Sequence, residues 1–325
     1  MLRFGIFKSA QYPKSNEARR LAASRVSYDL LDVGEDPTED KIEIFEDLSR
    51  RLRTSNGIFR TTFADRFRDL DQIAMRWIAK SYGADTALHV QDRAASHALT
   101  SYEWAVKLLE QYPEATFEAS DKMFWLVRLS INGGGTYVIE PGGELLQYIR
   151  PPFVVSLQRR EPWRFLVNRA IAARARRRFQ RLSLPRDWME TAAGTGYQVG
   201  RIPFVHLRAL RFSRENPSFR LQVRSVFERT PDCCHVLRTM NIFNPAYFSQ
   251  EQLSDGILAA FHSLKTGGIW IVGRTLEKDF SNHASFLQKQ RSGWRVLERL
   301  GKGSEIESLA LRVSVAETPH DIKTP

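Results

Sequence analysis

Two stretches, CHVLRTMNIFNPAYF at 234–248 and LKTGGIWIVGRT at 264–275, bracket an amphipathic run. The first opens as a short apolar strand that ends at polar Arg238 and Asn241. The run between them has helical periodicity, and Lys265-Thr266-Gly267-Gly268 then turns the chain into a second apolar strand, Ile269 to Val272. Strand, crossover helix, glycine turn and buried strand together indicate a parallel α/β sheet, whose ligands sit beyond the carboxyl ends of the strands.

Working upstream, Thr86 to Asp92 reads as a strand ending in an acid, followed by a turn and a helix over about Thr100 to Gln111. Thr116 to Asp121 is a second strand ending in an acid. The two strand ends are spaced as in one βαβ unit. Arg220 to Phe227 reads as a third strand of the same sheet. Between Phe124 and Leu157 the helical period is lost, and Asn132-Gly133-Gly134-Gly135 and Pro141-Gly142-Gly143 punctuate short apolar runs, so antiparallel hairpins are expected. An Arg-rich helix follows over about Pro162 to Leu182. Lys14 to Tyr82 reads as mostly helical, with a start signal at Asp36-Pro37-Thr38 and a second helix over about Ala64 to Lys80. Trp294 to Arg299 and Ile306 to Val315 read as a closing antiparallel pair, with Thr318 to Pro325 a loose tail.

The string Asp92-Arg93-Ala94-Ala95-Ser96-His97-Ala98 resembles the D-x-G-x-S-x-G turn of the class I S-adenosylmethionine (SAM)-dependent methyltransferases, with alanine in place of both glycines. The group it most resembles is the bacterial chemotaxis-receptor carboxyl methyltransferases. The likeness covers roughly residues 85–121 and 220–312. It implies an α/β fold: a mostly parallel, Rossmann-like methyltransferase sheet with flanking helices, an N-terminal helical cap over 1–84 and the methyltransferase domain over 85–325. Within the latter, 122–219 would hold a β-rich antiparallel insertion and the Arg-rich helix. It further implies that SAM is the cofactor, bound by Asp92, Ala94, Ser96 and Ala98 of the turn. Asp121 would accept hydrogen bonds from the ribose hydroxyls, Val226 and Phe227 would lie near the adenine, and Asn241 would face the methyl group. The acceptor, a small molecule or a protein, is left open, as is a catalytic residue. If the turn alanines keep ordinary dihedrals, restoring glycine would cost about 0.5–1 kcal/mol each. A methyltransferase-fold interaction protein without activity, and a polyanion-binding factor using the Arg-rich helix, are the alternatives.

The chain of 325 residues suffices for one large domain with additions or for two domains, and at 42% hydrophobic with 20 Phe and 7 Trp it can bury a core. No run approaches the roughly 18–20 apolar residues of a spanning helix. The N-terminus lacks a signal-peptide core, so a cytoplasmic protein is expected. Cys233 and Cys234 are adjacent in an expected strand, where their side chains would face opposite ways. The seven histidines show no metal-ligand spacing, which makes a zinc site unexpected, and neither a G-x-S-x-G elbow nor a phosphate-binding G-x-x-x-x-G-K-[ST] loop occurs. The net charge of +11 is concentrated in Arg169 to Arg181. That run is read as a solvated face or as paired with the acidic stretch Glu35 to Glu46; nucleic acid or anionic membrane is a possible partner but not the favoured one.

Overall fold

The computed structural model describes residues 1–22, 25–32, 34, 38–51, 54, 62–158, 162–194 and 196–312. The expected turn at Asp36-Pro37 and the tail Thr318 to Pro325 lie outside the described residues. The chain forms two compact units, the first from residues 1–62 and 123–207, the second from 63–122 and 208–325. Within the second unit the helix α3 (Arg68–Ser81) buries Leu70, Ala74 and Ile78 and sends Asp71, Arg76 and Trp77 to partners there.

In the first unit the antiparallel insertion is a six-stranded sheet of β3 (Trp125–Ile131), β4 (Gly135–Ile139), β5 (Leu145–Arg150), β6 (Phe153–Ser156), β7 (Ala193–Gly194) and β8 (Tyr197–Pro203), in the order β6-β5-β4-β3-β8-β7. Residue alternation divides its two faces. Leu126, Val138 and Val154 point to one face, where they pack with Phe45 and Leu48 of the helix α2 (Glu39–Arg51). Val127, Tyr137, Ile139 and Val155 point to the other and pack with Ala172 and Ala175 of the Arg-rich helix α5 (Leu166–Gln180). The Tyr137 hydroxyl donates to the Ala175 carbonyl at 2.9 Å, which fixes that helix on the sheet. The segment expected to be a cap therefore includes one face's cover for the insertion. The helix α1 (Asn16–Ala22) precedes α2.

In the second unit seven strands run in the order β13-β12-β11-β10-β1-β2-β9. Five are parallel: β9 (Phe219–Val223), β2 (Thr116–Asp121), β1 (His89–Arg93), β10 (Cys234–Met240) and β11 (Leu264–Thr275). The mixed α/β fold with a large, mostly parallel sheet and flanking helices is thus as expected. The helix α4 (Leu99–Gln111) follows β1, and α7 (Gln250–Ser263) links β10 to β11. They cover opposite faces, since Asp92 of β1 meets Ser101 of α4 while its neighbour Arg93 meets Ser263 of α7. The connection from β2 to β9 carries the whole insertion and then α6 (Leu207–Glu215).

Two sequence expectations are corrected in this unit. The third strand ends at Val223; Arg224 turns to donate its backbone N–H to the Asp121 carbonyl, and Val226 and Phe227 leave the sheet to join the apolar cluster around Phe243 and Trp270. The closing pair is β12 (Asn282–Lys289) with β13 (Trp294–Leu300), whereas 307–312 is the helix α8 (Glu307–Arg312). The strand β12 is buried on both faces, so NHASFLQK carries no two-residue alternation to reveal it.

Candidate functional site

The strand order reverses between β1 and β10: from β1 the chain continues to β2 on one side and returns later to β10 on the other. Such a switch point opens a crevice at the carboxyl ends of the strands. Here the bordering segments are the turn Ala94 to Ala98 after β1, Asp121 at the end of β2 and Asn241 after β10.

The turn has an unusual backbone. Ala94, Ser96 and Ala98 have φ of 61°, 57° and 59°, so three alternate non-glycine residues are left-handed. Each such residue brings its Cβ against the following carbonyl, at a cost of about 1–2 kcal/mol. The turn is held from within and from β2: the Ala95 N–H donates to the Ser120 carbonyl at 2.9 Å, the Ser96 N–H to Asp121 Oδ2 at 2.9 Å and the Ala98 N–H to the Ala95 carbonyl at 2.8 Å. Asp121 is therefore hydrogen-bonded directly to the turn. The dihedrals also reverse the expected effect of glycine. Ala94→Gly should stabilise the second unit by about 0.5–1 kcal/mol, measured as a rise in denaturant midpoint at constant slope. Ala98→Gly should gain less, because its fully buried methyl is worth about 0.8 kcal/mol.

Asp92 lies behind the turn and is fully engaged there. Its Oδ2 accepts from Arg238 at 2.5 Å and from the Ser101 hydroxyl at 2.6 Å. Arg238 is the cross-strand neighbour of Asp92 in the β1–β10 register, and its other terminal nitrogen donates to Asp71 of α3 at 2.6 Å. Its guanidinium lies 4.6 Å from the centre of the Trp104 ring and 5.0 Å from that of Phe67. All three charges are buried, and burial pushes the Asp71 carboxyl up to about 7 despite the Arg238 charge beside it. Two acids sharing one cation hold a net negative charge unless one of them keeps a proton. Sequence reading took Arg238 for the polar end of a strand. The available signal was a lone charge inside the apolar run VLRTM, which a sheet buries only with a partner.

The other residues singled out in the sequence have partners of their own. Asn241, exposed and left-handed at φ 61°, accepts from the Thr275 N–H through Oδ1 at 2.7 Å and thereby ties the ends of β10 and β11. Asn244 accepts from the Ala246 N–H at 2.8 Å, a local turn contact. Val226 is buried, and half-buried Phe227 sets its ring 5.7 Å from Phe248 and 6.2 Å from Phe243.

On the face of β1 opposite Asp92, Arg93 is also buried and donates to Gln91 Oε1, the Glu228 carbonyl and the Ser263 hydroxyl. The two cysteines do not diverge as expected, because Cys233 precedes the strand and both thiols reach the Ser263 carbonyl, at 3.4 and 3.3 Å. A hydrogen bond from Cys234 and the neighbouring Arg93 and Arg224 bring the Cys233 thiol down to about 7, while burial raises that of Cys234. No group of three or more metal-ligating side chains occurs among the described residues. Nor, among them, is any helix long and apolar enough to cross a membrane. A recess of about 470 Å³ lined by Thr266, Gly267, Gln288, Lys289, Gln290, Arg291 and Ser292 lies at the opposite, amino-terminal end of β11.

No family model matches the chain, and no curated protein sequence matches it. Among solved structures it is similar to the CMeT domain of the citrinin polyketide synthase, at 10% identity and a TM-score of 0.36, over 83% of this chain and 48% of that one. It is similar to phosphoethanolamine N-methyltransferase 1 of Haemonchus contortus, solved with phosphoethanolamine and S-adenosylhomocysteine, at 11% identity and a TM-score of 0.31, over 74% and 32%. The mitomycin 7-O-methyltransferase matches at 11% identity and a TM-score of 0.30, over 73% and 40%. The chain spans less than half the length of each of these proteins. Nothing in these matches points to the chemotaxis-receptor group. Likeness this distant carries no argument, and the fold rests on the strand order and register of the chain itself.

Proposed function

We propose that the protein is a SAM-dependent methyltransferase acting on a small-molecule or protein acceptor whose identity is open. The observation that carries this reading is the left-handed backbone at Ala94, Ser96 and Ala98. Strained backbone survives where the surroundings over-determine it, and such sites cluster at ligand clamps. Here the strain sits at the switch point of a parallel sheet, in the turn that resembles the cofactor turn of that family, and beside the acid that ends β2.

The residues fit the cofactor in backbone shape: three left-handed residues give the turn the curvature for which glycine is ordinarily used. The turn would hold the methionine moiety and Asp121 the ribose hydroxyls, with Val226 and Phe227 as an apolar wall toward the adenine. Asn241 would face the transferred group. Asp92, engaged by Arg238 and Ser101, would hold the turn in place from behind rather than touch the ligand. Bound SAM supplies a sulfonium methyl to an in-line nucleophile on the acceptor. The task left to this chain is to orient that nucleophile, exclude water and, for a protonated acceptor, remove a proton.

The test is direct binding. S-adenosylhomocysteine at 100 times its dissociation constant should stabilise the protein by about 2.7 kcal/mol. At roughly 2–4 °C per kcal/mol, the melting temperature should rise by several degrees. Asp121→Ala should abolish that rise. Absence of both a shift and calorimetric heat at millimolar SAM would instead identify an inactive methyltransferase-fold protein.

A further inference from the structure

Pairing of the Arg-rich helix with the acidic N-terminal stretch, offered beside a solvated face, is not found among the described residues. Glu43 pairs with Arg19 at 2.6 Å, and Glu46 lies 3.6 Å from Arg50 and 3.1 Å from His206. Arg169, Arg174, Arg177 and Arg181 are all exposed, and no carboxylate among the described residues closes an ion pair with any of them. From 162 to 186 the chain contains no acidic residue.

The basic helix also has an apolar end. Trp163 is 78% exposed, Leu166 58% and Val167 45%, all within the first turn of α5 and the residues just before it. Phe4, 53% exposed with its ring stacked 6.0 Å from that of Phe153, follows Arg3, whose backbone N–H donates to Asn168 Oδ1 at 2.9 Å and whose guanidinium lies 3.9 Å from the Phe165 ring centre. Monomeric proteins rarely expose large apolar side chains in one contiguous patch without a use for it. Along the outer stripe of the helix the order is therefore apolar first and basic after. The inner stripe, Asn168, Ala172 and Ala175, is already buried.

We infer that this face docks the protein on an anionic lipid bilayer, with α5 lying in the interface plane. Trp163, Leu166, Val167 and Phe4 would enter the headgroup–acyl boundary, where an indole and aliphatic side chains are both favoured. Arg169, Arg174, Arg177 and Arg181 would meet lipid phosphates, with the buried inner stripe preventing deeper insertion. A single-stranded nucleic acid fits less well, because base stacking uses aromatic faces and gives exposed Leu166 and Val167 nothing to contact. This inference does not depend on the methyltransferase reading.

The test uses the full chain and sedimentation with vesicles of phosphatidylcholine, with and without phosphatidylglycerol. Binding should require phosphatidylglycerol and fall as salt rises. Arg169→Gln, Arg174→Gln, Arg177→Gln and Arg181→Gln together should weaken it by about two orders of magnitude or more, at roughly fivefold per arginine. Trp163→Ser with Leu166→Ser should weaken it at least tenfold even at low salt, with the far-ultraviolet circular dichroism unchanged. Glycerol phosphate should not compete. Equal retention of the Trp163→Ser/Leu166→Ser variant, together with displacement by polyuridylate, would overturn the inference in favour of a nucleic acid. Failure to bind phosphatidylglycerol vesicles would overturn it outright.

Discussion

Arg238→Leu should destabilise the second unit by about 3–5 kcal/mol, the usual cost of removing one partner from a buried ion pair. Asp71 and Asp92 would be left facing each other's charge in a buried site, flanked by the Trp104 and Phe67 rings. For a chain of this size the melting temperature should fall by roughly ten degrees, at about 2–4 °C per kcal/mol. The loss should be larger at pH 8 than at pH 5, because protonation of Asp71 relieves part of it at low pH. Combining Arg238→Met with Asp71→Leu and Asp92→Asn should recover most of the stability, since replacing a whole buried charge cluster by fitting neutral side chains is often neutral or favourable. An equally unstable triple variant would show that Arg238 acts through packing between the aromatic rings instead. Thermal unfolding of the wild type and the two variants at the two pH values separates these outcomes. The same variants bear on the candidate site, because Asp92 anchors the strand that leads into the left-handed turn.

The sheet was legible because its central strands carry long-range information in short apolar runs. Val236 and Leu237 in one strand and Ile269 to Val272 in the other are apolar and buried on both faces, as strands covered by helices on each side must be, and the helix between them keeps its period. The hairpins of the insertion were legible from their glycines, since Gly133 and Gly135 have positive φ and take the chain from β3 to β4. What the residues could not reveal alone was pairing at a distance. Asp71 and Arg238 are separated by 167 positions, and neither periodicity nor propensity links them. The packing partner of the N-terminal segment was hidden for a related reason. The N-terminal segment supplies Phe45 and Leu48 to a sheet formed by residues beyond 123, so its apolar stripe shows a buried face without saying against what. At the site, the resemblance identified the turn, but only backbone geometry distinguishes alanines that fill an ordinary loop from alanines held left-handed.

Stability should fall as pH rises from about 4 to about 7, through a contribution assigned to Asp71. Burial raises its folded pKa to about 7, well above the ordinary aspartate value near 4, with Arg238 and Lys107 opposing the rise and Asp92 and Glu103 adding to it. Between those two values the folded protein holds a proton that the unfolded chain has lost. Stability then decreases with pH, at a limiting slope of about 1.4 kcal/mol per unit. The contribution is complete below the unfolded pKa and gone above the folded one. His89 works in the opposite direction: burial and His235 lower its pKa to about 4, so its share of stability grows as pH rises toward its unfolded value. The two effects partly cancel in the wild-type profile, and the difference between wild type and Asp71→Asn isolates the first. Asparagine keeps an oxygen that accepts from Arg238 but carries no charge to desolvate. The variant should match the wild type near pH 4.5 and exceed it by a few kcal/mol at pH 8, as read from urea midpoints. Parallel profiles across that range would mean that Asp71 remains ionised throughout and that the Arg238 charge outweighs its burial.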